Sequence, residues 1–148
     1  MVSRHGGKIL VDQLKKNGVE RVFSVPGESF LAALDGLYES GIENIVCRHE
    51  GGATMMAEAD AKMTNRPGVV FVTRGPGATN ASSGIHVAMQ DSTPLIVFVG
   101  QVPLGHRDRE AFQEINYESF FSSVSKWVAE VKDVKRLPEY VARAFQVS

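Results

Sequence analysis

The residue with the most chemical potential is an acid. Glu50 ends the run Arg48-His49-Glu50 and precedes Gly51-Gly52 and an alanine-rich stretch. An acid at a helix start is favoured by the positive end of the helix dipole. The same carboxyl, held in a semi-buried crevice, is suited to proton exchange. On position alone both readings stand. Next to it, His49 can be a surface residue, a hydrogen-bond donor or a ligand. His5, His86 and His106 are scattered, so no second histidine stands at metal-ligand spacing.

Two further segments could serve a site. In Gly75-Pro76-Gly77-Ala78-Thr79-Asn80 the glycines allow close backbone approach, and a helix start can receive an anion. The segment lacks the lysine of a P-loop and the glycine spacing of a dinucleotide site, so a plain structural turn is the other reading. Phe112-Gln113-Glu114 ends a polar stretch that runs from Gln101 to Asn116. Loops of that length in a compact domain are uncommon and often functional. This one either anchors an apolar side chain or closes over a ligand.

The elements that must position these residues alternate between strand and helix. Apolar spacing predicts a first helix through Ile9, Leu10 and Leu14 that stops near Asn17-Gly18. Strands are expected at Arg21 to Val25, Asn44 to Cys47, Val69 to Thr73, Leu95 to Val99 and Val124 to Val128. Helices are expected at Ser29 to Ser40, closed by Gly41, and at Gly52 to Asn65 and Ala78 to Gln90. A short helix follows at Tyr117 to Phe121 and a last one at Leu137 to Val147. Runs such as Val69-Val70-Phe71-Val72 show no polar alternation, as in a parallel sheet covered on both faces. In such sheets ligands bind outside the C-terminal strand ends. Val25-Pro26-Gly27-Glu28, the segment from Arg48 to Gly52, the segment from Thr73 to Asn80 and Gly100-Gln101-Val102-Pro103 would all meet on that rim.

Composition narrows the classes. The chain has 148 residues, 43% hydrophobic and 22% charged, which suits one globular domain. Sixteen Lys and Arg stand against 17 Asp and Glu, a formal net charge of −1. That balance offers no footprint for nucleic acid or an anionic membrane. No apolar run is long enough to span a bilayer, and Met1 to Gly7 leads into no apolar signal segment. The single cysteine, Cys47, lies in an apolar run and is expected as a buried thiol. These features suit a cytoplasmic protein.

Taken together and in order, Arg48-His49-Glu50, the Gly75–Asn80 turn, Asp91 with Pro94, Gly100-Gln101-Val102-Pro103 and Ala111-Phe112-Gln113-Glu114 resemble the acetolactate synthase-like family. More closely, the chain resembles the N-terminal pyrimidine-binding domain of thiamine diphosphate-dependent enzymes. The resemblance runs from about Gly7 to Phe145. It implies a doubly wound three-layer α/β/α domain with a mostly parallel six-stranded sheet. It implies that Glu50 hydrogen-bonds the N1′ nitrogen of the cofactor's aminopyrimidine and so promotes loss of the thiazolium C2 proton. By the same resemblance Val25, Pro26 and Gly27 lie near the cofactor, and Pro76 and Asn80 flank or support the pyrimidine pocket. Phe112 and Gln113 face the substrate or the cofactor's reactive side.

The implied reaction is that of a transferase or lyase on a 2-oxo acid such as pyruvate, by decarboxylation and carboligation. In the family Mg²⁺ and the diphosphate bind a separate domain through a Gly-Asp-Gly motif. The only Asp-Gly step here is Asp35-Gly36, so residues 1–148 are expected to be one domain of a longer enzyme, inactive alone. Such sites form between subunits, which implies a homodimer or homotetramer. Some relatives also carry FAD on a further domain, which makes FAD the one other cofactor the resemblance allows. Three positions depart from the family pattern: Gly51 where glutamine is usual, Glu28 where glycine is usual, and Arg74 where serine is usual. They put acetolactate in doubt as the product, with another donor or acceptor as the alternative. A non-catalytic regulatory homologue and an unrelated flavodoxin-like nucleotide binder are the competing readings.

Overall fold

The computed structural model describes residues 4–148. Its sheet has four strands among the described residues: β1 (Arg21–Ser24), β2 (Glu43–Val46), β3 (Gly68–Val72) and β4 (Leu95–Val99). All pairs are parallel, in the order β2-β1-β3-β4. All five residues of β3 are buried, the burial that a strand covered on both faces requires.

The helices are α1 (Gly6–Lys16), α2 (Leu31–Leu37), α3 (Glu50–Thr64), α4 (Pro76–Gln90), α5 (Tyr117–Phe121) and α6 (Leu137–Val147). Strand alternation sorts them into two layers. Val22, Val69 and Phe71 point to one face, where they meet Val11 and Leu14 of α1, Ala33 and Leu37 of α2, and Val141 of α6. Phe71 stacks between Phe30 and Phe98, with ring centroids 5.9 and 4.9 Å away. Phe23, Val70 and Val72 point to the other face, against Ala53 and Ala57 of α3, Ala78, Ala81 and Ile85 of α4, and Phe121 of α5. The result is the expected α/β/α sandwich. The alanines of α3 and α4 let those two helices approach closely. Lys62 adds ion pairs to Glu58 at 2.6 Å and Asp91 at 2.5 Å, but its side chain is half exposed. Such a pair contributes about 0–1 kcal/mol, against about 1.5–3 kcal/mol for each large apolar side chain buried. Packing holds the layers.

The strand count is corrected. Val124 to Val128 is not a strand, and the sheet has four strands rather than six among the described residues. After α5 the chain keeps turning: Val124 N–H donates to Phe121 O at 3.0 Å, and Ser125 Oγ donates to the same carbonyl at 2.7 Å. Val124 and Val128 then pack by their side chains against the second core. Among the described residues the outer edge of β4 carries no strand partner. The second helix is also shorter than expected. It opens with a 3-10 turn over Glu28–Phe30 and stops at Leu37, because Tyr38 turns extended and Glu39 takes φ 57°. α3 begins two residues earlier than the spacing predicted, which places Glu50 in its first turn.

Strand order also fixes where a site can form. From β1 the chain crosses to β2 on one side, and from β3 to β4 on the other. The loops after β1 and β3 therefore part company beside each other. That is the switch point at which open α/β sheets bind ligands. No helix among the described residues is long and apolar enough to cross a membrane.

Candidate active site

Glu50 is 7% exposed and opens α3 behind His49, whose Nδ1 accepts the Gly51 N–H at 3.1 Å. Glu50 Oε2 accepts a hydrogen bond from Asn80 Nδ2 on α4 at 3.0 Å. A side chain at Gly77 would set its Cβ 3.1 Å from Glu50 Oε1. Glycine there keeps that second oxygen clear, and no protein donor is bonded to it among the described residues. One oxygen is thus held and the other is free to meet a ligand.

The surrounding rim is knit by short-range contacts between β1 and β3. Gly27 abuts Thr73, where an added Cβ would come within 2.4 Å. Ser29 Oγ and Thr73 Oγ1 are 2.8 Å apart, and Ser29 Oγ accepts the Arg74 N–H at 3.2 Å. Val25 is half-buried, while Pro26, Pro76 and Asn80 reach the surface. Gly75, at φ 56°, takes a backbone shape that glycine tolerates best, and its N–H donates to Tyr117 Oη at 2.9 Å. Burial pushes the Tyr117 hydroxyl above its ordinary pKa, so it stays a neutral phenol.

The long loop lies against this turn. Gln113 is so close to Gly75 that an added Cβ would come 2.7 Å from Gln113 Cβ. Phe112 is 73% exposed. The structure therefore brings Glu50, Gly77 and Asn80 into one cluster and Gln113 onto the adjoining turn. Phe112 joins through Arg74, which donates from Nε to its carbonyl at 3.1 Å. Spacing alone missed two of the residues that build this rim, Ser29 and Tyr117, while Thr73 lies on it as expected. Their signal was weak, since hydroxyls near strand ends are common. Gly51 is tightly enclosed. A Cβ there would lie 3.1 Å from both His49 Nδ1 and Ser83 Oγ. The Cys47 thiol is only part-buried, with Sγ 3.8 Å from Met56 Sδ, and burial raises its pKa.

Glu114 keeps the loop folded. Its carboxylate accepts from Asp108 N at 2.9 Å and Ala111 N at 3.3 Å, and it pairs with Arg107 at 3.0 Å. The Asp108 N–H, above all, holds the carboxyl below its usual range. A group whose folded pKa is lowered stabilises fully above its unfolded pKa and loses that contribution as pH falls through the folded one. The expected result is steady protection of the Asp108 and Ala111 amides at neutral pH. It is lost only below the ordinary carboxylate range. Protection factors from hydrogen exchange across pH would show it; loss near neutrality would contradict it.

A parallel α/β sandwich with a half-clamped carboxylate at its switch point defines a domain of the doubly wound class. The sequence places it further. The chain belongs to the family described as thiamine pyrophosphate enzyme, N-terminal TPP binding domain, which matches residues 4–120. Similar proteins include the acetolactate synthase of Bacillus subtilis, 38% identical over 148 residues and 100% of this chain. The mitochondrial acetolactate synthase of Schizosaccharomyces pombe is 42% identical over 99% of it. The acetolactate synthase isozyme 2 large subunit of Escherichia coli is 37% identical over 97%. The chain spans only 26%, 22% and 26% of those proteins' lengths. Family membership removes the flavodoxin-like reading.

The donor set fits an aminopyrimidine. A carboxyl with one oxygen fixed by an amide and the other clear can share a proton with a ring nitrogen.

Proposed function

We propose that this chain is the pyrimidine-binding, cofactor-activating domain of a thiamine diphosphate-dependent enzyme that acts on a 2-oxo acid such as pyruvate. The observation that carries this is the asymmetry of Glu50: Asn80 Nδ2 binds Oε2 at 3.0 Å, while Gly77 leaves Oε1 clear. Glu50 holds a proton at Oε1 and shares it with the ring nitrogen N1′. Asn80 orients the carboxyl. Val25, Pro26, Gly27 and Pro76 form the walls of the ring pocket. Phe112 and Gln113 face the substrate and keep water from it. Thiamine diphosphate, when bound, supplies the acidic C2 carbon that adds to the 2-oxo group.

Mg²⁺ and the diphosphate belong to another domain, and the working unit is a homo-oligomer in the cytoplasm. Among the described residues no group of three or more His, Cys, Asp or Glu could hold a metal ion. The reaction class is transferase or lyase. The complete protein is expected to consume pyruvate, or a close 2-oxo acid, only with both thiamine diphosphate and Mg²⁺ added. Undiminished turnover without the cofactor, after its removal by dialysis, would sink the proposal.

A further inference from the structure

Glu28 and Arg74 are two of the three positions that depart from the family pattern, and they touch. Arg74 Nη2 donates to Glu28 Oε1. The same guanidinium donates from Nε to the Phe112 carbonyl at 3.1 Å and lies 5.9 Å from the centroid of the Phe112 ring. One side chain thus joins the loop after β1, the turn after β3 and the tip of the long loop. The Arg74 side chain is 13% exposed and that of Glu28 69%.

An ion pair with one partner in water adds little energy of its own. Its effect here is directional. Arginine's planar fork, gripped at Nη2 by Glu28, is turned so that Nε meets the Phe112 carbonyl. The tip it holds is under strain: Gln113 sits at φ 63°, a left-handed shape unfavourable to a residue with a side chain. Such a conformation persists only when its surroundings impose it. Gly75 makes room on one side, and Arg74 supplies the bond on the other.

We propose that Arg74, oriented by Glu28, is a positioning residue that latches the Phe112–Gln113 tip onto the turn carrying Gly75. Glu28 and Arg74 are then one device, the carboxylate serving to aim the guanidinium. Resting on the proposed function, the latch also sets which 2-oxo acids enter. A pinned Phe112 narrows the approach, and a released one admits bulkier acids.

Hydrogen exchange on the complete protein tests the latch without any turnover. Arg74→Gln is expected to speed exchange at Ala111–Glu114 about tenfold, and Glu28→Gln about threefold. Arg74→Lys keeps the charge and can still reach Glu28, but it has no Nε–H for the Phe112 carbonyl. It should match Arg74→Gln at the loop. Exchange within about twofold of wild type in both Arg74 variants would overturn the latch. Should those variants fail to fold, Glu28→Gln decides, because that side chain is exposed, and unchanged exchange there overturns it equally. In turnover, Arg74→Gln should lower the preference for pyruvate over 2-oxobutanoate about tenfold and leave C2-proton exchange of the bound cofactor unchanged. An equal loss in C2 exchange would instead mark general damage to the site and count against the latch. If the complete protein turned over no 2-oxo acid, the proposed function would fall, while loop exchange would still decide the latch.

Discussion

Replacing Glu50 with glutamine is expected to slow C2-proton exchange of bound thiamine diphosphate by about 10²–10⁴-fold, the usual scale of a lost general acid or base. The substitution is nearly isosteric. The glutamine oxygen can still accept from Asn80 Nδ2, which in the wild type meets Glu50 Oε2 at 3.0 Å. The fold has no reason to change, so the thermal transition should move little. What is lost is the proton, because an amide cannot carry one at the position of Oε1 and hand it to a ring nitrogen. Nuclear magnetic resonance of quenched exchange reactions on the complete protein measures this directly. Wild-type exchange in Glu50→Gln would remove Glu50 from the chemistry and leave it a helix-end acid.

The second large effect lies away from the rim. At Gly84 on α4, an added Cβ would come 2.0 Å from Thr54 Oγ1, 2.6 Å from Thr54 Cβ and 3.1 Å from Met55 N. Thr54 is fully buried, and its hydroxyl bonds the carbonyls of Glu50 and Gly51 at 3.0 Å and approaches that of Ala81 at 3.4 Å. Gly84→Ala gains about 1 kcal/mol of helix propensity but, with contacts this short, costs about 3 kcal/mol, the upper end of the overpacking range. Steric cost wins, because a backbone nitrogen and a β-branched side chain cannot swing aside. The expected result is a net loss of about 2 kcal/mol, a drop of about 4–8 °C in this domain's calorimetric transition. The helices that carry Glu50 and Asn80 are then forced apart, and cofactor affinity should fall about tenfold, the scale of one charge-assisted hydrogen bond. Gly52→Ala is the control. Nothing lies within 4 Å of the added Cβ, so it should stabilise or do nothing. Equal losses in the two variants would refute the packing argument.

Apolar runs made most of the fold legible. Leu95–Val99 and α6 (Leu137–Val147) lie where periodicity put them, because long apolar patterns report burial directly. Val124 to Val128 misled for the same reason. Its valines are partly buried against the second core, but burial does not say whether the backbone pairs with a neighbour. The rim's location was legible too, since parallel strands must deliver their C-terminal loops to one side. Its wiring was not. Glu28 and Arg74 read as separate oddities because their link depends on β1 and β3 being neighbours, a property of strand order and not of spacing. Position alone favoured Glu50 as a helix-end acid, and the ordered motifs along the rim turned the expectation to proton transfer; spacing could not show Asn80 at Oε2 or the clearance that Gly77 leaves at Oε1.

The switch-point geometry bears on how the molecule acquires its site. Glu50 and Asn80 are 30 residues apart, Arg74 and Phe112 are 38, and Glu28 and Arg74 are 46. Each pair closes a long stretch of chain, and the entropy of closure must be met before any contact is gained. No short segment can hold even a rudiment of the pocket. Recognition should therefore switch on as a cooperative event late in folding, and a ligand gripping this rim would restrain the chain from β1 to the long loop at once.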